Sequence, residues 1–229
     1  MRKPASVAQA TGIVERLSAT YGHLWGRKPH TDGQLAGRLG AELREVFASP
    51  AQLQALSTHA RQAAELGLVA GRLGEISQRL EQGKFLVTAA ESWFYQLADA
   101  ELLLAGERNP AGPQGAALPA HWAWHLLGYQ QHPAAGASLL GQPAAAMALL
   151  AAGRLPDLGP LPRASHLGTL AYCASASTPS PASIGAARVL FIQGAGVLVL
   201  ASSAAQAISD LHLVNRLSEI SLLQTRGID

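Results

Sequence analysis

The chain has 229 residues, 48% of them hydrophobic and 14% charged, with a formal net charge of +2. That length and apolar content support one substantial core and exclude wholesale disorder. A surplus of two positive charges gives no phosphate-tracking field, which argues against a nucleic-acid partner.

Arg2 and Lys3 open the chain, but Glu15 and Arg16 interrupt it too early for a secretory leader. Ser6 to Leu24 and Gln34 to Phe47 carry apolar residues at helical spacing, split by the turn cluster GRKPHTDG. Ser49-Pro50 reads as an N-cap followed by proline at the first helical position, opening a helix that runs to Leu66 and stops at Gly67. Ile76 to Leu80, Lys84 to Thr88 and Ala100 to Leu104 are short strand-like runs. Pro119 begins an aromatic-rich helix, HWAWHLLGYQQ; Ala137 to Leu140 is a brief strand, and Pro143 to Ala152 an alanine-rich helix. The loop STPSPAS precedes two strands, RVLFIQ and VLVLAS, and a helix from Ser203 to Leu223 closes the chain. The uncharged stretches 134–153 and 189–208 are broken by Gly, Pro, Ser or Gln, so they read as buried core rather than membrane spans. Helices followed by mixed strands and helices predict a three-layer α/β arrangement.

Single motifs are weak. Gly194-Ala195-Gly196 follows a strand, but another strand-like run comes where a dinucleotide-binding helix should begin. Cys173, the only cysteine, cannot form an internal disulfide, which suits a reducing cytoplasm; a buried structural thiol is the expected role. His121 and His125 share one helix face and could share a proton or a metal, or simply sit at the wet edge of a packed helix.

The order of the pieces is more specific. GLVAGRLGEISQRLEQGKFLVTAAESWFYQLADAELLL, HWAWHLLGYQQHP and VLFIQGAGVLVLASSAAQAISDLHLVNRLSEISLL together resemble the class II aldolase/adducin family, especially L-fuculose-phosphate aldolase-like members. The resemblance runs from Gln52 to Leu223. It implies a three-layer α/β/α fold around a mixed, largely antiparallel sheet, spanning residues 49–229, with residues 1–48 as a helical extension.

In that family three histidines hold a divalent metal, usually zinc, which stabilises an enediolate while a glutamate moves a proton and a polar pocket holds phosphate. The resemblance puts His121 at the glutamate and retains a histidine at His125, but puts Leu140, Gln142 and Ala195 at the three ligands. The phosphate motif Gly-Asn-x-Ser reads Gly74-Glu75-Ile76-Ser77, Thr-x-Ser-Gly reads Thr88-Ala89-Ala90-Glu91, and Ser-Ser reads Pro119-Ala120. Zinc-dependent phosphosugar aldolase chemistry is therefore not expected, and neither a metal nor another cofactor is implied.

Two readings follow, and the sequence favours the first, because ionisable residues at a cleft mouth are commonly just solvated. In the first, the chain is a non-catalytic binding or assembly protein that keeps apolar features such as Leu66, Leu86, Leu126 and Val197. In the second, the old cleft is a metal-independent acid–base site, an isomerase, dehydratase, cyclase or lyase for an unphosphorylated carbonyl compound. There His121, Glu75 and Glu91 would be catalytic, while Ser77, Thr88, Trp122 and His125 would contact substrate. Trp124, Trp93 and Phe94 would add apolar walls. Both readings imply a homo-oligomer, a tetramer by the resemblance, and the second a small-molecule ligand.

Overall fold

A computed structural model describes residues 47–106, 117–159, 162–175 and 179–226. The helices expected between Ser6 and Val46, and nearly all of the N-terminal extension, lie outside these residues. In chain order the described elements are α1 (Pro50–Glu65), β1 (Glu75–Arg79), β2 (Lys84–Thr88), β3 (Leu102–Gly106), α2 (Trp122–Gln131), β4 (Ala137–Gly141), α3 (Ala144–Ala151), β5 (Leu170–Cys173), α4 (Pro181–Ile184), β6 (Val189–Ile192), β7 (Gly196–Ala201) and α5 (Ala204–Arg226).

The strands form one sheet in the order β3-β2-β1-β4-β7-β6-β5. All neighbours are antiparallel except β5 and β6, so the sheet is mixed and largely antiparallel. Helices cover both faces, which is why the central strands read as continuous apolar runs. Along β7, Val197 and Val199 pack on the side of α1, α3 and α5, among Leu56, Ala146 and Leu211. Leu198 and Leu200 point the other way, toward Trp124 and Tyr129 of α2. The same two-residue period acts on β1: Ile76 joins the first layer, and Glu75 and Ser77 face α2. This alternation places two polar side chains beneath the histidines of α2.

Local signals account for most boundaries. Ser49 caps α1 with its hydroxyl on the Gln52 N–H, and Gln52 returns a bond to the Ser49 N–H, with Pro50 in the first turn. The helix expected from Pro119 begins three residues later, because Pro119 to Trp122 forms a turn and the His121 N–H is taken by Glu75. The strand expected at Ala100 begins at Leu102, since Asp99–Glu101 forms a 3-10 turn closed by the Glu101 carboxylate on the Ala98 N–H. Within the expected STPSPAS loop, Ser180 caps the short α4. The edge strand β5, parallel to β6, was not foreseen in the sequence. Gly194-Ala195-Gly196 is the tip of an antiparallel hairpin between β6 and β7, which removes the dinucleotide-loop alternative. Among the described residues no helix is long and apolar enough to cross a membrane.

Candidate functional site

A cavity of about 320 Å³ opens where the turn before β1, the loop after β2, the entry to α2, the end of β4 and the β6–β7 turn meet. Its polar lining includes Arg72, Glu75, Glu91, His121 and Gln142. The expected catalytic trio, His121, Glu75 and Glu91, is thus brought to one cavity.

Glu75 is the anchor. It is buried, and its Oε1 lies 2.7 Å from Nδ1 of His121, whose backbone N–H points at both carboxylate oxygens at 3.2 Å. Oε2 lies 3.3 Å from Nε2 of His125. Burial alone would raise the carboxyl pKa, but the hydrogen bond from His121 and attraction from His121 and His125 outweigh it and hold the group at about 2. The N-terminus of α2 adds a favourable field for the anion. An ionised carboxylate only accepts hydrogen bonds, so Nδ1 of His121 carries the hydrogen and Nε2 is left to whatever occupies the cavity. The His121 side chain is 21% exposed, open enough to meet a ligand.

Behind this pair lies a buried polar run. His125 is fully buried, with Nδ1 3.2 Å from the Ser77 hydroxyl. Its Nε2 is near Glu75 but off the line of a good hydrogen bond, and has no other partner. The Ser77 hydroxyl also meets the Tyr129 hydroxyl at 3.0 Å, and Tyr129 donates to the Ser77 carbonyl. Burial pushes the Tyr129 phenol far above its usual pKa, so it stays protonated. Arg79 covers its ring at 4.9 Å. Residues 121, 125 and 129 recur every four positions, so the cap residue of α2 and one face of the helix supply all three groups.

Four expected substrate contacts lie elsewhere. Ser77, Thr88, Trp122 and His125 are buried and do not line the cavity. The Thr88 hydroxyl accepts from the Ile76 N–H within the sheet, and Trp122 packs edge-on against Phe85 with ring centroids 5.5 Å apart. Trp124 and Phe94 belong to the core, whereas Trp93 is exposed and packs on Tyr95. Leu66, expected among the apolar core features, is exposed. Cys173 is buried as expected; its desolvated thiol has a raised pKa, which keeps it unreactive.

Gln142 and Ala195 border the cavity, while Leu140 packs with Trp124 and Ile192 in the core. The Gln142 amide is a brace: its N–H groups bond the Leu73 and Ala195 carbonyls at 3.0 and 3.2 Å, and its oxygen accepts from the Ala70 N–H. A leucine, an alanine and an amide committed to the backbone do not fit a divalent metal. Nor do His121, Glu75 and His125 form a new metal site, because the two imidazoles turn their nitrogens onto the carboxylate rather than toward a common point. Among the described residues no group of three or more His, Cys, Asp or Glu side chains is arranged to hold a metal.

Glu91 has a left-handed backbone, φ 57°, where the family motif has glycine. Its carbonyl accepts from the Arg72 guanidinium at 2.8 Å. A side chain is strained in that conformation. Glu91→Gly is therefore expected to raise stability by about 1 kcal/mol, measured as a higher urea midpoint at unchanged slope; a lower midpoint would mean that the Glu91 side chain makes a contact worth more than the strain.

A profile of the Class II Aldolase and Adducin N-terminal domain matches residues 54–222, well over half of the chain. The chain belongs to the class II aldolase/adducin family. Among solved structures it is similar to an L-fuculose 1-phosphate aldolase, with a TM-score of 0.68, 17% identity, and coverage of 80% of this chain and 90% of that one. It is also similar to YgbL of Escherichia coli, described as a putative aldolase/epimerase/decarboxylase (TM-score 0.64, 16% identity, 75% and 88% coverage). A third is the L-fuculose-1-phosphate aldolase of Thermus thermophilus (TM-score 0.62, 19% identity, 76% and 94% coverage). A search of curated protein sequences found no match. Identities this low establish the shared fold alone. Two site residues escaped the sequence reading within this family frame. Arg72 gave no signal beyond a lone arginine in a glycine-rich turn, but Tyr129 could have been found from its spacing to His121 and His125.

Proposed function

We propose that this chain is a metal-independent acid–base enzyme acting on an unphosphorylated carbonyl compound in the family cleft. The observation that carries this reading is the His121–Glu75 pair: a buried carboxylate fixes the ring through Nδ1 and leaves Nε2 at the cavity. In the reaction Nε2 takes a proton from the carbon beside the carbonyl, giving an enolate and an imidazolium. Glu75 stabilises the imidazolium, and the proton returns to the same carbon, a neighbouring one or a leaving oxygen. Return to a neighbouring carbon is an isomerase outcome, and protonation of a leaving oxygen, with its C–O bond broken as the double bond forms, is a dehydratase outcome. Exchange of carbon-bound hydrogen for solvent deuterium reports the shared first step. It is tested by proton NMR with dihydroxyacetone, hydroxyacetone and pyruvate, each corrected for exchange in buffer. Uptake above buffer supports the reading, and uptake at the buffer rate with every probe sinks it.

One observation favours the non-catalytic binding or assembly reading. Leu66, Leu73, Trp93 and Tyr95 are large, apolar and exposed; Leu73 lines the cavity and Trp93 packs on Tyr95. Such a surface suits self-association, and under either reading we take the chain to be a homo-oligomer, a tetramer by family precedent. Light scattering at micromolar concentration is expected to give a multiple of the 23.8 kDa chain mass; a monomer would refute the assembly. The lone buried thiol suits a cytoplasmic setting.

A further inference from the structure

We infer that Arg72 anchors the carboxylate of the substrate, making the ligand class a small monocarboxylate that also carries a carbonyl. This rests on the acid–base reading of the cleft and names its substrate. The polar groups of the cavity divide into those already committed and those still free to bind. Glu75 is engaged by both imidazoles. Both Gln142 N–H donors are spent on the Leu73 and Ala195 carbonyls. Arg72 uses one guanidinium nitrogen on the Glu91 carbonyl, and no carboxylate pairs with it among the described residues. Arg72 is exposed at the cavity, and that one bond leaves the other N–H groups of its planar fork to a ligand. A planar fork matches a carboxylate through two parallel hydrogen bonds.

Charge then selects among anions. Glu75 and Glu91 line the same cavity as Arg72, so carboxyl groups already oppose its single positive charge there. A monoanion paired directly with the guanidinium tolerates that balance, whereas a doubly charged phosphate meets net repulsion. Small apolar surfaces from Leu118, Pro119 and Ala120 complete the wall beside His121 and suit a short carbon chain. The reacting carbon of an anchored carbonyl acid thus shares one small cavity with Nε2 of His121.

The test measures binding of pyruvate, lactate and inorganic phosphate to the full chain by calorimetry, without requiring turnover. Pyruvate and lactate are expected to bind more tightly than phosphate. Arg72→Gln should weaken the two carboxylates by about tenfold or more, and Arg72→Lys by less, because lysine keeps the charge and loses the fork. Unchanged affinity in Arg72→Gln, tighter binding of phosphate, or no carboxylate binding by the unaltered chain each overturns the proposal. If pyruvate binds through Arg72 but exchanges no deuterium, and no other carbonyl probe does, the acid–base reading fails while the anchor stands. If exchange occurs and Arg72→Gln binds normally, the anchor fails while the acid–base reading stands.

Discussion

Glu75→Gln is expected to destabilise the chain at neutral pH by about 3 kcal/mol, the free energy corresponding to a carboxyl held near 2 rather than 4.5. The folded-state pKa is depressed, so the contribution is complete above pH 4.5, is lost as pH falls toward 2, and vanishes below that. Unfolding by urea from pH 7 down to pH 2 should therefore show the unaltered chain losing stability steeply between about 4.5 and 2, with the variant nearly flat across that window. The two chains should converge at the acid end. Glutamine has nearly the same shape but brings a donor in place of an anion, so one imidazole faces an amide N–H and the other loses its charge partner. A variant as stable as the parent at pH 7, with the same acid slope, would mean that Glu75 is not held as an anion by the two histidines.

His121→Ala carries the second large effect. General-base catalysis contributes about 100-fold to 10,000-fold, and deuterium uptake should fall by an amount in that range. Stability should change much less than in Glu75→Gln, because the His121 side chain is partly exposed while Glu75 is buried. Glu75→Gln should also slow uptake, since a neutral amide in place of the carboxylate does not stabilise the imidazolium. A chain whose uptake survives in His121→Ala has its base elsewhere.

The fold was legible in the sequence wherever the signal is local. Strands buried on both faces, such as LFI and VLVLA, appear as unbroken apolar runs, and Ser49-Pro50 marks a helix start through its own hydrogen bonds. The edge strand LAYC lacks that density, so only its pairing with β6 defines it. The site divides in the same way. His121 and Glu75 could be named because each stands where the family resemblance places a functional polar residue. Ser77 and Thr88 were expected at the substrate by that route, and Trp122 as an apolar wall. Ser77 shares the face of Glu75 but lies deeper beneath α2, strand alternation turns Thr88 to the opposite face beside Ile76, and helix phase turns Trp122 inward onto Phe85. The brace made by Gln142 joins residues 53 to 72 positions away in sequence, and no local pattern announces it.

The measurement that bears most directly on metal-independent acid–base catalysis is deuterium uptake by chelator-treated, metal-assayed protein beside the untreated chain. The expected result is equal uptake in both, from protein carrying far less than one divalent ion per chain, with loss of uptake in His121→Ala. Uptake that disappears with the chelator and returns with zinc would contradict the account.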